Sequence, residues 1–331
     1  MTTNKQVLLA SRPSGWVQES DFRVVETPLP APQDGQVLLK NIYLSLDPYM
    51  RGRMNETHSY AASVQLGGVM TGQTIAEILE SKNPKFKAGD TVAAYAGWQQ
   101  YAISDGAGLR PVDPKIVPVS TYLGTVGMPG VTAWYGLLKI GEPKPGETVV
   151  VSAASGAVGS VVGQIAKIQG CHVVGIAGGP SKCDYVTQEL GFDACIDHRS
   201  KTVAEALAEA TPKGIDVCFE NVGGPLLDAV LARCNSFARI PICGMIADYN
   251  ATDRYGVKNL IAAVGNRIKL QGFIISDHPQ IWPEALAQLA QWVREGKIKY
   301  RESITQGLEN APKAFIGLFK GENFGKQLVK I

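Results

Sequence analysis

The sequence predicts a two-part α/β fold, and three observations carry that reading. Short β-rich segments broken by Pro, Gly and Asp run from residue 1 to about 125, strands alternate with amphipathic helices from about Gly146, and a strand-like segment follows about residue 300. The first texture reads as a β domain over 1–125 and the second as a doubly wound parallel sheet over 126–300. The third, 301–331, reads as a C-terminal return that completes the β domain.

In the β domain, strands are predicted at Gln36–Ile42, Gly72–Leu79, Thr91–Tyr95 and Gln99–Ile103. The parallel sheet is predicted from Thr148–Ser152, His172–Ala177, Ala194–Ile196, Ile215–Glu220, Ala238–Ile242 and Ile268–Ile274. Ser181 is placed as the N-cap of a helix Lys182–Leu190, with Gly191 as its left-handed stop. A helix Ile281–Glu295 sets Trp282, Ala285, Leu289, Trp292 and Val293 along one stripe, which reads as core, and Gly296 ends it. A strand Arg301–Thr305, a helix near Leu308–Leu318 and a last strand Lys326–Ile331 close the chain.

Composition bounds the function classes. Of 331 residues, 45% are hydrophobic and 19% charged, which suits an ordinary globular chain with room for two cores. Thirty-two Lys plus Arg against 30 Asp plus Glu leave a formal charge of +2 without a long basic run, so nucleic acid is not an expected partner. The apolar run Val7–Ala10 is far short of a signal-peptide core, and no stretch approaches the ~18 apolar residues of a membrane span. A cytoplasmic protein is expected. All six cysteines fall in the second half, none in a C-x-x-C pair, and read as buried reduced thiols. The first half holds one histidine, His58, and no cysteine, so a zinc site built there is all but excluded.

The most informative run is Val149-Val150-Val151-Ser152-Ala153-Ala154-Ser155-Gly156-Ala157-Val158-Gly159-Ser160. It reads as a buried strand ending in a glycine turn that opens a helix, the arrangement that cradles a dinucleotide pyrophosphate. Gly156 lets the backbone approach the phosphates, Gly159 lets the helix lie close on the sheet, and the helix N-terminus offers N–H donors to the anion. Ala154 stands where the first glycine of the fingerprint is usual.

A Rossmann unit that prefers NAD places an acid about 20 residues further on, against the ribose 2′-OH. Here the place reads Ala177-Gly178-Gly179-Pro180-Ser181-Lys182, with no acid. Lys182 supplies a point charge for a 2′-phosphate, and His198 with Arg199 after the next strand closes the same pocket, which favours NADP(H). The alternative makes Lys182 a solvated first-turn residue, a position that opposes the helix macrodipole.

Motifs spread over the whole chain narrow the reading. Leu46-Asp47-Pro48-Tyr49-Met50-Arg51, Gly127-Met128-Pro129-Gly130-Val131-Thr132-Ala133, Glu220-Asn221-Val222-Gly223-Gly224, Cys243-Gly244-Met245 with Tyr249-Asn250, and Gly272-Phe273-Ile274-Ile275-Ser276-Asp277 stand in that order. Together they resemble the zinc-independent medium-chain dehydrogenases/reductases, specifically the alkenal and prostaglandin reductase family with its bacterial curcumin reductases and leukotriene hydroxydehydrogenases. The resemblance implies a GroES-like β-barrel domain beside the Rossmann domain, and a homodimer. Where zinc-dependent relatives carry Gly-His-Glu, this chain has Gly67-Gly68-Val69, and the upstream cysteine position falls near Asp47.

Carried over residue by residue, the resemblance implies that Ser155, Gly156, Ala157, Val158, Gly159 and Lys182 hold the phosphates, with His198 standing where relatives often have a tyrosine. Asn221, Cys243 and Gly244 lie along the cofactor. The backbone of Phe273, Ile274 and Ile275 fixes the carboxamide, Asn323 reaches in from the last segment, and Met128 and Thr132 touch the nicotinamide ring. For Met128-Pro129-Gly130 a tight turn at the domain junction is the alternative.

The implied reaction reduces the carbon-carbon double bond of an α,β-unsaturated ketone or aldehyde, a small molecule. Hydride passes to the β carbon and the charge that builds on the carbonyl oxygen needs a neutral donor in a water-poor cleft. Tyr249 matches the family's donor, and its phenol, with a reference pKa of about 10, is protonated at neutral pH. An interfacial tyrosine hydrogen-bonding backbone or cofactor is the alternative role of Tyr249. Tyr49 is a second candidate for the same cleft, balanced against simple packing of its turn, while Asp47 and Arg51 are read as a local ion pair without chemistry. Quinone reduction, or NADPH binding with little turnover, are the competing functions.

Overall fold

Strand formation follows the apolar alternation of the chain. The computed structural model describes residues 3–57, 59–200 and 202–331. Seven strands come first: β1 (Thr3–Leu9), β2 (Phe22–Pro28), β3 (Val37–Ser45), β4 (Thr74–Ser81), β5 (Thr91–Ala94), β6 (Tyr101–Ser104) and β7 (Arg110–Pro111). Six follow: β8 (Thr148–Ser152), β9 (His172–Ala177), β10 (Ala194–Asp197), β11 (Ile215–Phe219), β12 (Cys234–Ile242) and β13 (Lys269–Gly272). β14 (Glu302–Gln306) and β15 (Lys326–Lys330) end the chain. The chain divides into two units, one of residues up to Leu123 with Glu302–Ile331, the other Gly124–Arg301.

In the first unit, β14, β15, β3, β4, β5 and β7 form one sheet in that order, with β6 also on β3. Every pair is antiparallel except β14 with β15. The β1–β2 ribbon joins it through isolated bridges at Gln6–Gln99 and Leu8–Val69. Its aromatic core stacks Phe22 on Trp98 at 5.5 Å, with Phe315 edge-on to both.

Asp47, read from the sequence as a local partner of Arg51, pairs instead with Lys326 at 2.8 Å, and both side chains are buried. The ammonium also donates to the Leu46 carbonyl at 2.7 Å, so β15 is tied to the end of β3 by a desolvated charge pair. Arg51 donates to the carbonyls of Pro13 and Gly15 and to Asn55.

In the second unit the strand order is β10-β9-β8-β11-β12-β13, all parallel. This is the doubly wound order, which reverses between β8 and β11. Val149, Val150 and Val151 have no exposed surface, as a central parallel strand requires. Leu207, Leu227, Val230 and Leu231 from two helices share a core with Val150, Val174 and Ile240 of the sheet. Helix Trp282–Arg294 buries Ala285, Leu289 and Trp292.

Three local details differ from the sequence reading. The helix after β9 starts at Pro180, not beyond Ser181, because proline at N1 has no N–H to cap and Gly179, at φ +97°, makes the turn. It also becomes a π-helix at Tyr185–Glu189. β12 begins four residues before Ala238, its first half hidden in the sequence by the polar, partly exposed Asn235 and Ser236. Met128-Pro129-Gly130 is not a tight turn but the opening of helix Met128–Tyr135, and a Cβ at Gly130 would lie 1.8 Å from the Thr125 carbonyl oxygen.

Removing one member of the Asp47–Lys326 pair strands the other charge in the core. Lys326→Met is expected to cost about 3–5 kcal/mol in unfolding free energy, and pairing it with Asp47→Leu to recover most of the loss. Urea denaturation of the three proteins checks this; a single variant as stable as the parent would contradict it.

Candidate functional site

The C-terminal ends of the parallel strands gather most of the residues singled out above. After β8 the chain turns through Ala153, which holds a left-handed φ of +50°, and the helix begins at Gly159. A Cβ at Gly159 would lie 2.4 Å from the Ala153 carbonyl oxygen, so only glycine allows this approach; at Gly156 the same distance is 3.1 Å. Ala154 is fully buried, and a Cβ on Gly175 of β9 would meet its methyl at 2.8 Å, so the alanine takes the space between turn and strand. The first backbone bond of the helix runs from Ser160 N–H to Gly156. The N–H groups of Ala157, Val158 and Gly159 therefore lie ahead of the ladder, in the arrangement that binds anions. Ser155, within the turn, is buried.

After β9 and β10 lies a cationic corner. A Cβ on Gly178 would sit 2.8 Å from His198 Nε2 and 3.1 Å from Arg199 Nε, so imidazole and guanidinium lie over this glycine. Partial burial and the Arg199 charge hold the Lys182 ammonium below its ordinary value, and the same two causes lower His198. Asp197 is not a ribose acid for this corner: its Oδ1 accepts N–H bonds from Gly179 at 2.8 Å and Arg199 at 2.9 Å, which hold its carboxyl below the usual range. That scaffold role was not legible, although an acid ending a strand before His-Arg is a usable signal.

Across the reversal point, Asn221 donates from its backbone to Ser152 Oγ at 2.7 Å and from Nδ2 to the Ser152 carbonyl at 2.8 Å. Cys243 and Gly244 follow β12, their N–H groups on the Glu220 carbonyl. Burial and the Glu220 carboxyl push the Cys243 thiol up to about 12. Tyr249 ends a single helical turn, Ile246–Tyr249, where its hydroxyl accepts the Met245 N–H at a long 3.4 Å and lies against Gly244. Phe273 and Ile274 were placed in a strand but leave the ladder, since β13 ends at Gly272 and Ile275 opens a 3₁₀ turn. Thr132 Oγ1 donates to the Met128 carbonyl at 2.7 Å within its own helix.

Two of the expected residues belong to the first unit. Tyr49 carries a buried hydroxyl with no hydrogen-bond partner among the described residues, and burial, then Asp47, pushes it well up. Asn323 donates to the Gly325 carbonyl at 2.8 Å, inside its own turn. Among the described residues, no group of three or more His, Cys, Asp or Glu side chains could hold a metal ion; His58 lies outside them. No helix of the described residues is long and apolar enough to cross a membrane.

These positions can be set against known proteins. Residues 5–112 match the family model described as the N-terminal domain of oxidoreductase, and 157–291 the one described as zinc-binding dehydrogenase. The chain is 52% identical to the NADPH-dependent curcumin reductase of Escherichia coli K12, over 99% of this chain and 97% of that one. It is 44% identical to the NADP-dependent 2-alkenal reductase of Nicotiana tabacum, over 99% and 98%. The crystal structure of CurA from Vibrio vulnificus in complex with NADPH superposes with a TM-score of 0.94 at 50% identity, covering 98% of each chain. The chain belongs to the zinc-independent medium-chain dehydrogenase/reductase family that contains the curcumin, 2-alkenal and prostaglandin reductases.

Proposed function

We propose that this protein is an NADPH-dependent reductase of the carbon-carbon double bond of α,β-unsaturated ketones and aldehydes. The observation that carries the cofactor assignment is the cationic corner over Gly178. His198 and Arg199 meet there with Lys182 in electrostatic reach, and an anion of 2′-phosphate type would relieve the repulsion that, after burial, lowers Lys182 and His198. The reaction class rests on the activities of the relatives, which reduce curcumin and 2-alkenals.

The residues present fit a dinucleotide. The backbone of Ser155, Gly156, Ala157, Val158 and Gly159 would hold its pyrophosphate, Lys182 with His198 its 2′-phosphate, and Asn221, Cys243, Gly244 and the backbone of Phe273, Ile274 and Ile275 its nicotinamide half. Met128 and Thr132 would border the ring. When bound, NADPH supplies the hydride that reaches the β carbon. Tyr249 would donate a hydrogen bond, and finally a proton, to the oxygen on which negative charge builds; the Met245 N–H at 3.4 Å engages the lone pair of its hydroxyl oxygen and not the O–H. Tyr49, in the first unit, is a second donor candidate because its buried hydroxyl lacks a partner among the described residues, a state that costs about 1–3 kcal/mol. The Gly325 bond of Asn323 would have to be exchanged for it to reach the cofactor.

We also infer a cytoplasmic homodimer. The outer edge of β13 has no neighbouring strand among the described residues, and Ile261 and Val264, which precede it in sequence, are 76% and 74% exposed. All six cysteines are free, as in a reducing compartment. Sedimentation in solution should give about twice the chain mass; a single-chain mass at micromolar concentration would rule the dimer out.

The reading is tested by NADPH oxidation with an open-chain enone against a size-matched quinone. The enone is expected to be the better substrate, and the reverse order would favour quinone reduction. Tyr249→Phe is expected to lower kcat on the order of 10²-fold with NADPH affinity nearly unchanged; an undiminished kcat removes Tyr249 from the mechanism. Lys182→Ala is expected to weaken NADPH, and not NADH, by about 1.5–3 kcal/mol. Equal losses for both cofactors, measured by fluorescence titration, would defeat the 2′-phosphate assignment.

A further inference from the structure

Glu220 follows the last residue of β11 and has no exposed surface, although a carboxyl is costly to bury without donors. Its donors converge on one oxygen. Oε1 accepts the N–H groups of Val222 and Gly223, the latter at 2.9 Å, and the Ser152 hydroxyl at 2.9 Å. Ser152 Oγ in turn accepts the Asn221 N–H, and Asn221 Nδ2 returns to the Ser152 carbonyl. The backbone carbonyl of Glu220 receives Cys243 N–H at 2.9 Å and Gly244 N–H at 3.2 Å.

One residue therefore binds the ends of β8, β11 and β12 on both sides of the point where the strand order reverses, the place where doubly wound sheets hold ligands. The same turn accepts the Ile246 N–H on the Asn221 carbonyl at 3.1 Å and the Ala247 N–H on the Val222 carbonyl at 3.0 Å. Gly223 and Gly224 both have left-handed φ values, +77° and +59°, and Gly223, the N-cap of helix Gly224–Leu231, has no side chain with which to cap it. Glu220 Oε1 instead takes the N–H groups of Val222 and of Gly223 itself, just ahead of the helix.

We propose that Glu220 is a positioning residue for the cofactor, holding the phosphate turn after Ser152 and the Asn221–Gly223 turn in fixed relation through the acceptor capacity of Oε1. The inference rests on the reading that a nicotinamide dinucleotide lies over these strand ends. The three bonds call for an acceptor at Oε1, whereas Oε2 takes the Cys218 thiol at a long 4.0 Å. A glutamine that keeps Oε1 in place keeps all three bonds.

The full-length protein tests this through dissociation constants for NADPH and NADH, enone kcat and KM, and thermal midpoints. Glu220→Ala is expected to weaken both cofactors alike by about tenfold or more, with the KM for enone unchanged, and Glu220→Gln to stay within about threefold of the parent. Ser152→Ala, which spares the backbone bonds of Glu220, is expected to weaken both cofactors about threefold, and to add less than about twofold when combined with Glu220→Ala because the two residues share one network. Should Glu220→Ala not fold, Ser152→Ala and Glu220→Gln still decide. Cofactor binding unchanged in Ser152→Ala, or as poor in Glu220→Gln as in Glu220→Ala, overturns the proposal, as does a Glu220→Ala protein that only melts earlier. Lys182→Ala is the control: if it leaves NADPH binding untouched, the cofactor reading itself has failed, whatever Glu220 does.

Discussion

The nucleotide-binding turn depends on the approach of Gly159 to the end of the strand that precedes it. A Cβ there would come within 2.4 Å of the Ala153 carbonyl oxygen, so helix Gly159–Ile168 reaches the sheet only because residue 159 has no side chain. That approach brings a helix N-terminus over the reversal point of the sheet and sets three N–H groups ahead of its ladder. The left-handed Ala153 is the backbone strain associated with this geometry. Gly175 opposite Ala154, and Gly163 against Phe192, show the same economy of volume one layer further out. The glycines fix how near the anion-binding end comes to the sheet, and the strand order fixes where it stands.

Charge is distributed around that end with a consistent logic. Lys182, His198 and Arg199 form a cationic corner, and the nearby Asp197, bound to two backbone N–H groups, offsets only part of the charge at His198 and Arg199. Glu220 is likewise directed at backbone donors and at Ser152. All six thiols are pushed above their ordinary range, burial being the largest cause at each. Protonated thiols are poor nucleophiles, which suits a chain that handles electrophilic alkenes.

Much of this was legible in the sequence because it depends on local pattern. β8 and β9 are found where their valine runs place them, and Gly191 and Gly296 have the left-handed φ of helix stops. The glycine turn and Lys182 were visible for the same reason, since spacing alone puts them after successive strands. What spacing does not carry is a partner chosen by tertiary structure. Asp47 looked like a neighbour of Arg51, but its cation comes from Lys326, 279 residues away. Glu220 stood in a motif quoted for its asparagine and glycines, and nothing in Glu-Asn-Val-Gly-Gly reveals that its side chain turns back to the end of another strand. The start of the helix at Pro180 depended on a proline that outranks serine for the first turn.

The central assignment is hydride delivery to the carbon-carbon double bond, with Tyr249 serving the oxygen at the far end of the conjugated system. The most direct measurement uses NADPH deuterated at the hydride position, each face in turn, with an α,β-unsaturated ketone, and locates the label in the product by NMR. From one face, deuterium is expected at the β carbon, with the proton at the α carbon taken from solvent and the carbonyl retained. Deuterium at the carbonyl carbon of an alcohol product, or a reduced product without label from either face, would contradict the assignment.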